Sequence, residues 1–208
     1  MQSDNVVIID YGLGNLRSVK NRFNQFAENV IISRDINVIN SADKLILPGV
    51  GSFKKGIENL RSFGLLEVLN KSVLSEGTPI MGICLGMQLF ANYSEEGDCE
   101  GLGWIDARVN KLNPPDDLDM RIPHYGWNTL KVAKDSPVLN GLTRDSEFYF
   151  VHSYFMQCND EDDILTNTSY GENFTSSVLK KNIFGVQFHP EKSYRDGEII
   201  IENFLNHV

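Results

Sequence analysis

Apolar residues cluster in two different ways along this chain. In the first half, short unbroken apolar runs alternate with segments whose apolar residues recur at helical spacing. Val6-Val7-Ile8-Ile9, closed by Asp10, predicts a buried strand. Leu16, Val19, Phe23 and Phe26 then mark one face of a helix. Val30-Ile31-Ile32 and Leu45-Ile46-Leu47 predict further strands, and Leu65, Leu66, Leu69 and Val73 a second amphipathic helix closed by Gly77. Thr78 to Phe90 reads as an apolar strand, a tight turn and a helix. Strands alternating with helices imply a mostly parallel sheet covered on both faces.

From about residue 98 the texture changes. Gly101 to Ile105, Ala107 to Leu112, Phe148 to His152, Ser176 to Leu179 and Ile183 to Phe188 predict strands with few helices between them. Lys180-Lys181-Asn182 suits a hairpin turn, and Gly197 to Asn206 a closing helix. This half is expected to extend the sheet antiparallel. Pro114 to Asp119 and Asn159 to Asp163 are polar and acidic, and are expected to be solvated loops. The 208 residues are expected to form a single α/β domain over 1–208. No repeat or low-complexity linker divides them.

Composition narrows the function classes. A 41% hydrophobic and 10% aromatic chain can build a full core. A net charge of −9 argues against nucleic acid or an anionic membrane as partner. No apolar stretch approaches membrane-spanning length, and Met1 to Asn5 lacks the basic and apolar regions of a signal peptide. Cys84, Cys99 and Cys158 form no disulfide frame, so a reducing cytoplasm is expected. The histidines at 124, 152, 189 and 207 lie far apart, so no metal is expected. No cofactor is called for either. Gly12-Leu13-Gly14 with Asp35 partly mimics a dinucleotide fingerprint, but Arg17 stands at the third glycine position and the signal is weak.

Candidate chemistry begins at Cys84. Gly82-x-Cys84-x-Gly86 is the thiol version of a nucleophile elbow. A strained strand-to-helix turn presents one side chain at the sheet's carboxyl edge, and flanking glycines let strand and helix pack closely. The helix N-terminus favours a thiolate. Cys99 and Cys158 are expected to be small buried hydrophobes. A base stands near the other end of the chain, where Ile183 to Phe188 runs into His189-Pro190-Glu191. Proline keeps His189 extended, and residues two apart in an extended chain share a side. Glu191 can then orient His189 as a carboxylate orients a general base. The bland alternative is a strand-end histidine beside a solvated glutamate. A nucleophile, a base and an orienter on separate strand ends favour covalent catalysis.

With those residues in place, the chain resembles the class I, triad-type glutamine amidotransferases. Gly82-Ile83-Cys84-Leu85-Gly86-Met87-Gln88 and Gln187-Phe188-His189-Pro190-Glu191-Lys192-Ser193 carry the resemblance, with Pro48-Gly49-Val50-Gly51-Ser52-Phe53 similar to that family's oxyanion loop. Ile9 to Leu16, Gly101 to Trp104, Pro123 to Asn128 and Tyr149 to Tyr154 further resemble the glutaminase subunits of imidazole glycerol phosphate synthases. Tyr125 departs from the methionine frequent there. The resemblance implies a single-domain amidotransferase fold and a Cys84, His189 and Glu191 triad. It also implies oxyanion donors on the backbone of Val50, Gly51 and Leu85. Glutamine would be gripped by Gln88, His152, Ser153 and Tyr154. Ammonia would pass to a barrel-type cyclase in a heterodimer, with Tyr11, Asn15 and Trp127 at the partner face. For Trp127, burial in the core is the competing expectation.

Other readings stay open at this point. One is a paralogous glutaminase serving a sugar-modifying amidotransferase of surface polysaccharide synthesis, weakly suggested by Ser94-Glu95-Glu96-Gly97 and Tyr170 to Ser176. A cysteine peptidase and a non-catalytic regulatory partner are the others.

Overall fold

The computed structural model describes residues 5–115 and 120–208. Part of the predicted acidic loop at 114–119 and residues 1–4 therefore lie outside the described residues.

Four parallel strands open the fold: β1 (Asn5–Ile9), β2 (Asn29–Ser33), β3 (Lys44–Gly49) and β4 (Ile80–Cys84), ordered β2-β1-β3-β4. Val6 and Ile8 face one core with Val19 and Phe23, while Val7 and Ile9 face another with Leu45, Leu47, Leu60 and Leu65. Alternate residues of one strand thus serve two cores, which is why the runs carry no polar gaps. Helices α1 (Leu16–Phe23), α2 (Ile36–Asn40), α3 (Phe53–Ser62) and α4 (Leu65–Asn70) connect the strands. The sequence pattern predicted α1 and α4 and missed α2 and α3. A π-helical turn, Lys71–Ser75, continues α4, and Gly77 at φ 74 closes the segment as expected.

α5 (Leu85–Gln88) follows β4 directly. Three short strands come next: β5 (Tyr93–Ser94), β6 (Cys99–Glu100) and β7 (Ala107–Lys111). Gly101–Ile105, predicted as a strand, is not one. Its amides instead bond the carbonyls of Leu89, Phe90, Ala91 and Asn92. Those carbonyls belong to the turn that follows the elbow helix, so the segment pairs the backbone just past the helix end. Trp104 stacks on Phe90 at 5.1 Å, which fixes that segment against the core.

The remaining strands are β8 (His124–Thr129), β9 (Lys131–Val132), β10 (Glu147–His152), β11 (Tyr154–Cys158), β12 (Ile164–Tyr170), β13 (Glu172–Lys180) and β14 (Ile183–Val186). β14 pairs parallel with β4 and antiparallel with β13, so the sheet changes character beside the elbow strand. It continues β13-β11-β7-β5-β6, with β12 and β9 off that path. The turn at Lys180-Lys181-Asn182 is present, with Lys181 at φ 54. β10 does not join this extension. Among the described residues it pairs only with β8, as a two-stranded antiparallel ribbon. Phe148 and Phe150 fasten the ribbon to the core, with Phe148 lying 4.3 Å from Phe188. The chain closes with α6 (Tyr194–His207).

Two surface expectations are corrected. Asp163, placed in a solvated loop, is 5% exposed and bonds Lys180 Nζ at 2.9 Å. A buried carboxylate needs such a partner to offset its lost hydration. Cys99 and Cys158 are half-buried free thiols packed at the edge of the core, not fully buried ones.

Candidate functional site

Cys84 sits at φ 54, ψ −109, in the left-handed half of conformational space. A cysteine adopts that geometry only where its surroundings enforce it. The enforcement comes from the two glycines. A Cβ on Gly86 would fall on the Leu47 carbonyl oxygen, and one on Gly82 would meet Phe90 and the Met87 amide. α5 can therefore press against β3 and β4 and turn the Cys84 side chain outward into a cavity of about 260 Å³.

His189 follows β14, the neighbour of β4. Its backbone N–H donates to the Tyr149 carbonyl at 2.9 Å, and its carbonyl accepts from Ser193 Oγ at 2.7 Å. Glu191 reaches it by a different route from the one expected. The chain is extended at His189 but then enters a 3-10 turn, Pro190–Lys192. Proline's fixed φ suits the start of that turn. The turn brings Glu191 Oε1 to 2.9 Å from His189 Nδ1, with both side chains buried. A solvated glutamate is thereby excluded.

Burial pushes the His189 imidazolium down, and the Cys84 charge and the Glu191 carboxylate push it up more strongly. The result is a pKa raised to about 10. Nε2 is buried with no partner at ordinary hydrogen-bond length, and the Cys84 side chain raises the His189 pKa both by its charge and as a hydrogen-bond acceptor. Among the described residues, Glu191 Oε2 is likewise buried without a hydrogen-bond partner. A cysteine on a strained elbow beside a charged imidazole can attack a carbonyl carbon and then return a proton to the leaving group.

The three expected oxyanion positions, Val50, Gly51 and Leu85, line the Cys84 cavity, as do Gln88, His152, Ser153 and Tyr154. Strand register places Gly49 directly across from Cys84. Gln88 is buried, and its amide nitrogen spends both N–H groups inside the protein, on Tyr154 O at 2.7 Å and Gln187 Oε1 at 3.0 Å. Only its oxygen is left to offer a ligand. His152 donates Nδ1–H to the same Tyr154 carbonyl at 2.9 Å, and its Nε2 lies 3.1 Å from His124 Nδ1. Burial drives both imidazoles to the neutral form, His152 down to about 3 and His124 to about 4. The network then assigns the tautomers: His124 donates to His152, which donates to Tyr154.

No sequence motif singles out Glu96 as a site residue. It lines the cavity from the β5–β6 turn, and its Oε2 accepts the Phe53 N–H at 2.7 Å. That bond caps the start of α3, where Ser52 supplies no side-chain cap. Only the Ser94-Glu95-Glu96-Gly97 stretch hinted at it.

The three partner-face positions separate. Tyr11 is corrected: it is fully buried in the core, not at an interface. A Cβ on Gly49 would collide with its hydroxyl, so glycine there makes room for the ring. Asn15 is exposed and caps α1 through Ser18 N. Trp127 lies in strand β8 rather than a loop and is 42% exposed, so it is not a core residue. It stacks on Tyr194 at 5.2 Å.

Residues 7–208 match the family described as glutamine amidotransferase class-I. The chain belongs to the class I glutamine amidotransferases. It is 48% identical to imidazole glycerol phosphate synthase subunit HisH 2 of Methanococcus maripaludis, over 96% of this chain and 98% of that one. A subunit of the same name from Pseudomonas aeruginosa is 44% identical, over 98% of this chain and 100% of its own length. Among solved structures, a glutamine amidotransferase covers 96% of both chains with a TM-score of 0.74 at 20% identity. That likeness bears on the fold alone.

Proposed function

We propose that this chain is the glutaminase subunit of an imidazole glycerol phosphate synthase in histidine biosynthesis. The observation that carries the chemistry is a strained Cys84 sharing one buried site with a charged His189 held by Glu191. Near-full-length relatives named as HisH subunits carry the assignment to this synthase and not to a sugar-modifying one. An intact nucleophile, base and orienter argue against a purely regulatory partner.

The Cys84 thiolate attacks the side-chain amide carbon of glutamine. Backbone N–H groups of Leu85, Val50 and Gly51 receive the developing oxyanion, each such donor being worth roughly 3 kcal/mol. The tetrahedral intermediate collapses as His189 gives its proton to the departing nitrogen, leaving ammonia and a thioester. His189 then takes a proton from water, whose oxygen attacks the thioester carbon. The second collapse releases glutamate and restores the thiolate and the imidazolium. Glu191 steadies that imidazolium. Glu96 supplies the negative charge that a substrate ammonium requires, and the Gln88 oxygen can accept from the same group.

Ammonia in neutral water is mostly protonated and unreactive, so it must leave through a protein interface into a cyclase. Barrel architecture for that cyclase, a cytoplasmic heterodimer, and a single domain over 1–208 complete the reading. Neither nucleic acid nor membrane has a part in it. Asn15 and Trp127 mark the partner rim.

Cys84→Ala is expected to abolish glutamine-dependent synthesis by the complex and to spare synthesis fed with ammonium salts. Failure of ammonium to rescue an assembled variant would overturn the division of labour. Trp127→Ala is expected to weaken co-purification with the cyclase about tenfold or more. Undiminished association and coupling would remove Trp127 from the rim.

A further inference from the structure

The Cys84 sulfur has two polar neighbours that the reaction scheme leaves unused: the Val151 carbonyl oxygen at 4.0 Å, which can only accept, and the closer Gln187 amide, which can donate. Gln187 is fully buried, and its Nε2 lies 3.6 Å from Cys84 Sγ. Which end of that amide faces the sulfur follows from the network behind it. The Tyr154 carbonyl can only accept, and it takes Gln88 Nε2 at 2.7 Å. The nitrogen end of Gln88 is therefore fixed, and its second N–H goes to Gln187 at 3.0 Å. Gln187 must meet that donor with its oxygen, which turns its own NH₂ toward Cys84. A flipped Gln187 would set N–H against N–H at Gln88 and an oxygen lone pair against the sulfur.

We propose that Gln187 is a further catalytic residue, whose side-chain N–H holds the Cys84 sulfur and favours its thiolate over its thiol. The proposal deepens the glutaminase reading and rests on it. A donor aimed at an anion stabilises the charged form selectively. It acts from the core side of the sulfur, so it stays in place while substrate occupies the cavity. Gln88 is then the positioning residue that keeps the donor aimed. The titratable groups around Cys84 are His189 after β14, Tyr11 after β1, His152 at the end of β10 and Glu96 on the β5–β6 turn, with Glu191 behind His189. All of them remain in a Gln187 variant.

The test uses the full chain in complex with its cyclase. Gln187→Met keeps the side-chain volume and removes the donor, and Gln187→Leu is the second variant should the first not fold. The rate of Cys84 alkylation by iodoacetamide is followed against pH, beside kcat and KM for glutamine. The expected result is an alkylation midpoint about one pH unit higher and a kcat about 10- to 100-fold lower, with KM within about threefold. An unchanged midpoint in a folded variant would overturn the proposal, even with a raised KM, because that pattern belongs to packing. Glutamine turnover by the parent complex is read separately. A parent whose thiol ionises readily but which turns over no glutamine would sink the glutaminase reading and leave the Gln187–thiolate contact standing.

Discussion

Two histidine sites lie close together in this protein, both buried, and they hold opposite charge states. His189 keeps its proton to about pH 10, whereas His152 and His124 stay neutral until about pH 3 and 4. Burial pushes all three the same way, toward the neutral form. The difference lies in what each meets there. His189 faces a carboxylate on one side and the Cys84 charge on the other. The His124–His152 pair meets a carbonyl, an amide and aromatic rings: Tyr170 lies 4.0 Å from His124, and Phe150 lies 4.8 Å away. A buried imidazole is thus a proton carrier where anions surround it and a neutral hydrogen-bond link where they do not.

The sharpest break in that comparison is expected from removing the His189 imidazole and then the carboxylate that holds it. His189→Ala should cut glutamine turnover by about 10³-fold, in the range that positioned acid–base groups contribute. Glu191→Gln should cost less, about 10- to 100-fold, as one charge-assisted hydrogen bond does. It should also move the alkaline limb of kcat/KM downward from about pH 10, because the removed carboxylate is one of the charges that raise His189. The two variants are compared by steady-state glutaminase assay in the complex across pH 6 to 11. Equal losses with no shift in the alkaline limb would mean that Glu191 does not act through His189.

The same contrast explains what could be read from the sequence. The parallel half was legible because strands buried on both faces must be apolar throughout, as Val6 to Ile9 is. The elbow was legible because close packing admits only glycine at 82 and 86. His189 and Glu191 were legible because they are two residues apart. The His124–His152 pair was not, since it is formed by β8–β10 register across 28 residues of sequence separation. β8, with the sequence HYGWNT, carries no apolar alternation to announce a strand. Tyr11 was misplaced because a residue following a strand reads as loop. Its burial depends on the space Gly49 leaves, which only the fold reveals. In the sequence Gln187 is one residue of the histidine motif, and its contact with Cys84 depends on the β4–β14 pairing.

The neutral pair makes a smaller prediction, about stability rather than turnover. Folded-state values of about 4 and 3 lie below the ordinary 6.5. The unfolded chain therefore binds two protons, as pH falls below 6.5, that the folded chain refuses. The pair's contribution is full above pH 6.5 and is lost as pH drops toward 3 to 4, by about 1.4 kcal/mol per pH unit for each histidine. His124→Phe keeps a ring between Tyr170 and Phe150 but removes one of the two titrating groups. It also leaves His152 Nε2 without its donor, at a cost of roughly 1–3 kcal/mol at neutral pH. Urea unfolding of the variant should thus show lower stability at pH 7.5 but a shallower decline between pH 6.5 and 4.5, so the two curves converge on acidification. Parallel curves would place the acid sensitivity elsewhere and would mean that His124 takes up its proton in the folded protein as readily as in the unfolded one. In that case the contrast with His189 would rest on His152 alone.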